Sequence, residues 1–197
     1  LDGLGHIGDD DIFYNCNKGE DFSFITGLTK MGIEKIPPLV GRGVLINMAK
    51  HHGVSSMYGG QGITREDIKK AIKKQNIELK KGDIILFHTG WTDAKLKSSP
   101  EEWGASIPGI TNDAAVYLSE FKPMAVGADT WGLGAVPPIE GDKVYYDHVT
   151  LIKENGIYIL ESMDTGMLAR NNVTEFMFVL GQPKLKGAVQ MICLLYT

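Results

Sequence analysis

Short apolar runs alternate with polar segments along this chain, and the two patterns predict strands and helices in alternation. Leu39 to Met48 (LVGRGVLINM) is rich in branched residues and reads as a strand. Thr64 to Asn76 (TREDIKKAIKKQN) reads as a helix. Thr64 can cap it, Asp67 follows three residues on, and Ile68 with Ile72 marks one narrow apolar face. Ile84 to Phe87 predicts a buried strand bounded by His88-Thr89-Gly90. Asn112 to Phe121 predicts a second helix, which Pro123 stops before a strand over Met124 to Gly127. Tyr146 to Glu154 predicts a third helix, ended by Asn155-Gly156, a pair suited to a left-handed cap. Strands over Ile157 to Met163 and Phe176 to Leu180 follow. This order points to the α/β class, and the lack of repeats or linkers points to a single domain over 1–197. Asp9 to Pro38 is polar, Gly-containing and weakly periodic, so it reads as a long ordered loop. Such a loop either binds a ligand or covers a core edge.

Composition narrows the classes. The 197 residues, 43% hydrophobic and 22% charged, exclude a disordered chain and suffice for a core. Two cysteines, Cys16 and Cys193, exclude a disulfide framework; they read as reduced thiols, compatible with a cytoplasmic location. No apolar run nears the roughly 18 residues of a membrane span. Twenty Lys and Arg against 24 Asp and Glu give a net charge of -4, which argues against nucleic acid or an anionic membrane as partner. A small-molecule substrate is expected instead. The lysines of the Thr64 helix (Lys69, Lys70, Lys73, Lys74) read as an exposed face, and His51-His52 as solvated. The chain starts at Leu1 without Met and reads as a fragment or processed form.

No dinucleotide fingerprint, P-loop or nucleophile elbow is present. The informative residues are Asp2, His6, His148 and Glu161. Asp2 and His6 sit in LDGLGHIG, where glycines let backbone approach a ligand. His148 shares a helix face with Leu151 and Ile152 and should point to the core, as a satisfied buried residue or as a ligand. Glu161 falls in the strand IYILESM, on the side of Ile157 and Ile159. A carboxylate there needs a buried Arg or Lys, or a cation. Imidazole with carboxylates suits zinc or manganese. His88 and Asp129 end strands, where they face a ligand crevice or bond the local turn. Phe13, Tyr14, Trp91 and Trp131 are candidate walls of an apolar substrate pocket, or else core or dimer contacts.

Several segments together resemble one family. LDGLGH, PPLVGRGVLINMA, KKGDIILFHTGW, VGADTWG and HVTLIKENGIYILE are similar to stretches of the metal-dependent hydrolases of the cyclase family, whose signature reads H-G-T-H-x-D-x-P-x-H. Kynurenine formamidase and isatin hydrolase belong to it. The resemblance implies a compact mixed sheet with helices, the swivelling β/β/α fold, in homodimers or homotetramers. It also implies a divalent ion, zinc or manganese, held by Asp2, His148 and Glu161. His6 then serves as general acid/base or as a ligand of a second ion. Leu4 departs from the signature's Pro, as does the chain's end, GAVQMICLLYT, from the usual close. The first two His of the signature fall before Leu1, so the N-terminal part is expected to be missing.

The activity so implied is hydrolysis of an amide or lactone of a small aromatic, carboxylated molecule by a metal-activated water. Two alternatives stay open. One is a non-catalytic binding or assembly protein with an incomplete metal site; the other is a lyase or cyclising enzyme using the same residues.

Overall fold

The structure, a computed structural model, describes residues 1–192 and the backbone of 194–196. Cys193 lies outside the described residues; Cys16 is exposed and free. Six strands form the central sheet: β1 (Leu39–Asn47), β2 (Ile84–His88), β3 (Ala125–Ala128), β4 (Tyr158–Leu160), β5 (Glu175–Gly181) and β6 (Leu194–Tyr196). Their spatial order is β4-β3-β2-β1-β5-β6. The first four are parallel, while β5 runs antiparallel to β1 and β6 to β5.

The parallel strands are apolar on both faces, which explains why they read as continuous hydrophobic runs. Val44, Ile46, Ile85, Phe87, Val126, Ala128 and Ile159 point to one side. There they meet α2 (Arg65–Lys74) through Ile68 and Ala71, and α5 (Asn112–Ser119) through Ala114, Ala115 and Leu118. Alternate residues Leu45, Ile84, Leu86, Ala125 and Leu160 point to the other side. That face is covered by Leu1, Ile33, Ile36 and Met163 rather than by long helices. The segment 9–38 is thus ordered cover for a core edge, built from two-residue hairpins and 3-10 turns.

The α2 expectation is met in detail. Thr64 caps it, its Oγ1 accepting from Asp67 N at 3.2 Å, while Asp67 Oδ2 accepts from Thr64 N at 3.1 Å. The helix over 146–154 changes pitch: α6 (Tyr146–His148) runs straight into a π turn (Val149–Glu154), and Gly156 at φ +66° closes it. Short helices α1 (Met48–His52), α3 (Trp91–Lys95), α4 (Pro100–Ala105) and α7 (Gly166–Arg170) complete the chain; α3 and α4 have too few periodic positions to stand out in the sequence.

One expected strand is shorter than its pattern. The run 157–163 pairs with β3 only over Tyr158–Leu160. Glu161 lies beyond β4, not inside it, because Ser162 turns into the left-handed region at φ +54° and gives its N–H to Thr130 O at 2.7 Å. No helix among the described residues is long and apolar enough to cross a membrane.

Candidate metal centre

Three chain segments meet at the free edge of β4. Residues 1–3 lie between that edge and the segment 189–191: Asp2 N donates to Ile159 O at 2.8 Å, Gly3 N to Val189 O at 3.0 Å, and Leu1 O accepts from Met191 N at 3.0 Å. Asp2 is thereby fixed by backbone bonds and 3% exposed. A turn closed by His6 N to Gly3 O at 3.0 Å brings the His6 ring back over the same spot. α6 supplies His148, buried as its helical spacing implied, and the turn after β4 supplies Glu161.

Asp2, His6 and His148 each offer one ligand atom, and these atoms all lie within 4.8 Å of one another. Among the described residues no other group of three His, Cys, Asp or Glu does so. His148 Nε2 is 3.8 Å from Asp2 Oδ2 and 3.2 Å from Glu161 Oε1. Its Nδ1 is 3.0 Å from Asp147 Oδ2. The rings of His6 and His148 are 6.1 Å apart, and Tyr145 stands edge-on to His148 at 5.6 Å.

The electrostatics suit a cation. Asp2 Oδ2 and His6 Nδ1 are enclosed without a hydrogen-bond partner, which is costly for polar atoms. Among the described residues no lysine or arginine pairs with Asp2, Asp147 or Glu161, so the basic partner weighed for Glu161 is not what it meets. Burial, followed by the charge of Glu161, pushes the Asp2 carboxyl up from its usual range. Burial works against charge on His148, but Asp147 and Glu161 outweigh it and raise its pKa to about 10. Crowded carboxylates around imidazoles, with two unpartnered ligand atoms, fit a divalent ion with oxygen and nitrogen donors.

A cavity of about 280 Å³ opens onto this cluster, lined by His6, Ile7, Trp131, Gly132, Tyr145, His148 and Glu161. Of the four aromatic residues considered for the pocket, only Trp131 is in its wall. Trp91 is 1% exposed and belongs to the core, because α3 turns it inward. Phe13 packs edge-on against Phe22, and Tyr14 lies over Gly156, so both brace the cover segment instead. Tyr145, held at φ +57°, takes the place they were expected to fill. No periodicity marks it, and only its nearness to His148 in sequence is a clue.

His88 and Asp129 stay apart from the cluster. His88 Nδ1 is 2.8 Å from Thr165 Oγ1, and Asp129 accepts from Thr89 N, Thr89 Oγ1 and Gly90 N at 2.7–2.9 Å. His88 ties the end of β2 to the loop that follows Glu161, and Asp129 ties the end of β3 to the turn after β2. His52 is exposed, whereas His51 is half-buried, with Nδ1 enclosed and unpartnered, so it is not the solvated residue expected.

The Cyclase family model matches residues 1–135. The chain belongs to the cyclase family. Among solved structures, one described as a novel cyclase is 27% identical, with a TM-score of 0.86 over 98% of this chain. Isatin hydrolase A from Labrenzia aggregata, bound to benzyl benzoate, is 19% identical, with a TM-score of 0.62 over 84% of this chain. A potential metal-dependent hydrolase with cyclase activity is 22% identical, with a TM-score of 0.54 over 80%. The last two likenesses are of fold. In each case this chain spans 65% of the other's length. No curated protein matches it. The expected α/β cyclase fold is therefore the fold observed, and the cluster at the β4 edge is the candidate metal centre of this cyclase-family chain.

Proposed function

We propose that the protein is a metal-dependent hydrolase that opens an amide or cyclic ester bond of a small aromatic, carboxylated molecule. The observation that carries this is that His148 Nε2 meets Asp2 Oδ2 at 3.8 Å and Glu161 Oε1 at 3.2 Å, with His6 close enough for its ligand atom to lie within 4.8 Å of those of Asp2 and His148, and with Asp2 Oδ2 and His6 Nδ1 left unpartnered. Solved relatives that include isatin hydrolase support the reading.

Asp2, His148 and Glu161 would hold the ion, zinc or manganese. When bound, a divalent ion lowers the pKa of coordinated water and polarises a carbonyl. His6, part-exposed at the cavity, accepts the proton of the attacking water and returns it to the leaving nitrogen or oxygen. The water oxygen bonds to the carbonyl carbon as the carbon–nitrogen or ring carbon–oxygen bond breaks. Trp131 and Tyr145 flank the substrate's ring. Among the described residues no lysine or arginine lines the cavity, and the side chains there suited to an aromatic ring are Trp131 and Tyr145.

The test is metal content by elemental analysis, together with turnover of isatin and of an N-formyl arylamine. Bound zinc or manganese, and turnover lost on chelation and restored by the metal, is the expected result. Protein that takes up neither metal and turns over neither substrate after loading overturns the reading.

A further inference from the structure

One buried carboxylate at the β4 edge has no part in that reading. Asp147 is 2% exposed. Its only side-chain hydrogen bond among the described residues joins Oδ2 to His148 Nδ1 at 3.0 Å. The other ring nitrogen, Nε2, faces Asp2 and Glu161. The Gly134 backbone lies close against the carboxylate: a Cβ there would come within 2.8 Å of Asp147 Oδ1. The Tyr145 ring stands edge-on against the imidazole at 5.6 Å.

A neutral imidazole carries one proton and one lone pair, and the hydrogen bond at one nitrogen decides which the other presents. A carboxylate at Nδ1 holds the proton there, so the proton that an ion displaces is the one on Nε2. We infer that Asp147 is a positioning residue: it holds His148 as the Nδ1–H form and aims Nε2 at an ion shared with Asp2. This rests on the metal-site reading above. Outer carboxylates of this kind orient a ligating histidine and raise its basicity, and losing one typically weakens metal binding about 10- to 100-fold. A carboxylate that merely fills space near α6 would not fix the tautomer.

The test uses zinc as probe. Zinc affinity is measured by competition with a chromophoric chelator for wild type, Asp147→Leu, Asp147→Asn and His148→Ala, and 15N spectra of His148 are recorded in the zinc-loaded wild type. Expected are a proton on Nδ1 with Nε2 metal-shifted, and affinity about 10- to 100-fold lower in Asp147→Leu. Asp147→Asn, which keeps an acceptor, should lose less. If Asp147→Leu does not fold, the wild-type spectrum decides, since a metal-shifted Nδ1 overturns the inference outright. Wild-type affinity in a folded Asp147→Leu also overturns it. If His148→Ala binds zinc as wild type does, the metal-site reading itself falls; if only His148→Ala loses zinc, the reading stands and the role of Asp147 falls.

Discussion

Glu161 Oε1 lies 3.2 Å from His148 Nε2, although the two residues are 13 apart and come from different elements. The π turn and the Asn155-Gly156 cap reverse the chain, and β4 then carries it back along the same end of the sheet. Because Glu161 sits just past the strand, its carboxylate keeps one side toward the cavity, with 24% of the side chain exposed. A group so placed can bind an ion and still border substrate.

Glu161→Gln should therefore lose metal more severely than any change outside the ligand set. The amide keeps the shape and removes the charge, leaving His148 with Asp2 and Asp147 alone. Affinity for zinc or manganese should fall by more than about 100-fold, beyond the ~10- to 100-fold cost of outer-sphere changes. Turnover should fall in parallel. Calorimetric titration of metal into the stripped variant checks this, and wild-type affinity would remove Glu161 from the ligand set.

The cavity walls make a separate prediction about substrate. Trp131 is anchored by its Nε1–H to Trp103 O at 2.7 Å, so its ring presents a fixed face. Trp131→Ala should raise KM for an aromatic substrate on the order of tenfold, from about 1–2 kcal/mol of lost ring contact. Its kcat should change less, because the ring touches the substrate body rather than the reacting carbonyl. Steady-state kinetics with one aromatic and one aliphatic amide separates the two effects. An equal loss on both substrates counts against the pocket assignment.

Much of this was legible in the residues, for reasons that differ by element. The two-faced burial of the parallel strands shows as unbroken apolar runs, and the Thr64–Asp67 box announces the α2 start. Asp2, His6, His148 and Glu161 stand out in the sequence because motif spacing and the apolar surroundings of polar residues are sequence properties, and the structure brings the four together. Trp91 and Trp131 each follow a strand end closely, yet one is core and one lines the cavity; only the direction of the following turn separates them. Asp147 gives no sequence signal because neighbouring residues on a helix do not ordinarily face each other, and only the structure shows its carboxylate at His148 Nδ1. The end of β4 was missed because Ser162 gives no glycine or proline signal for its left-handed turn.

Fold stability away from the site rests partly on Arg42, which crosses from β1 to the turn before β2. Its Nε and Nη2 donate to the two oxygens of Asp83 at 2.9 and 2.8 Å, and Lys80 N donates to Asp83 Oδ2 at 2.7 Å. Asp83 is buried while Arg42 is partly exposed, so this pair should be worth less than the ~3–5 kcal/mol lost when a fully buried one is broken. Arg42→Ala should cost about 2 kcal/mol in urea unfolding. Metal binding at the β4 edge should be unchanged, because the pair lies at the opposite ends of these strands.

The α2 cap gives a pH dependence whose sign follows from Asp67. Burial pushes its carboxyl up, but the hydroxyl and N–H of Thr64, with His52 and His51 nearby, more than offset this and hold it below its ordinary value. The folded state therefore holds this proton less tightly than the unfolded chain does. The resulting stability is fully present above the unfolded value and is lost as pH falls through the lower, folded one. Thr64→Ala removes the cap at any pH and should cost about 1 kcal/mol near neutrality. Asp67→Asn should be destabilised relative to wild type at neutral pH, with the gap closing as the solution is acidified below roughly pH 4. Urea midpoints for the three proteins over an acid-to-neutral series measure it. A gap that stays constant into acid would mean that the Asp67 charge adds nothing to the cap.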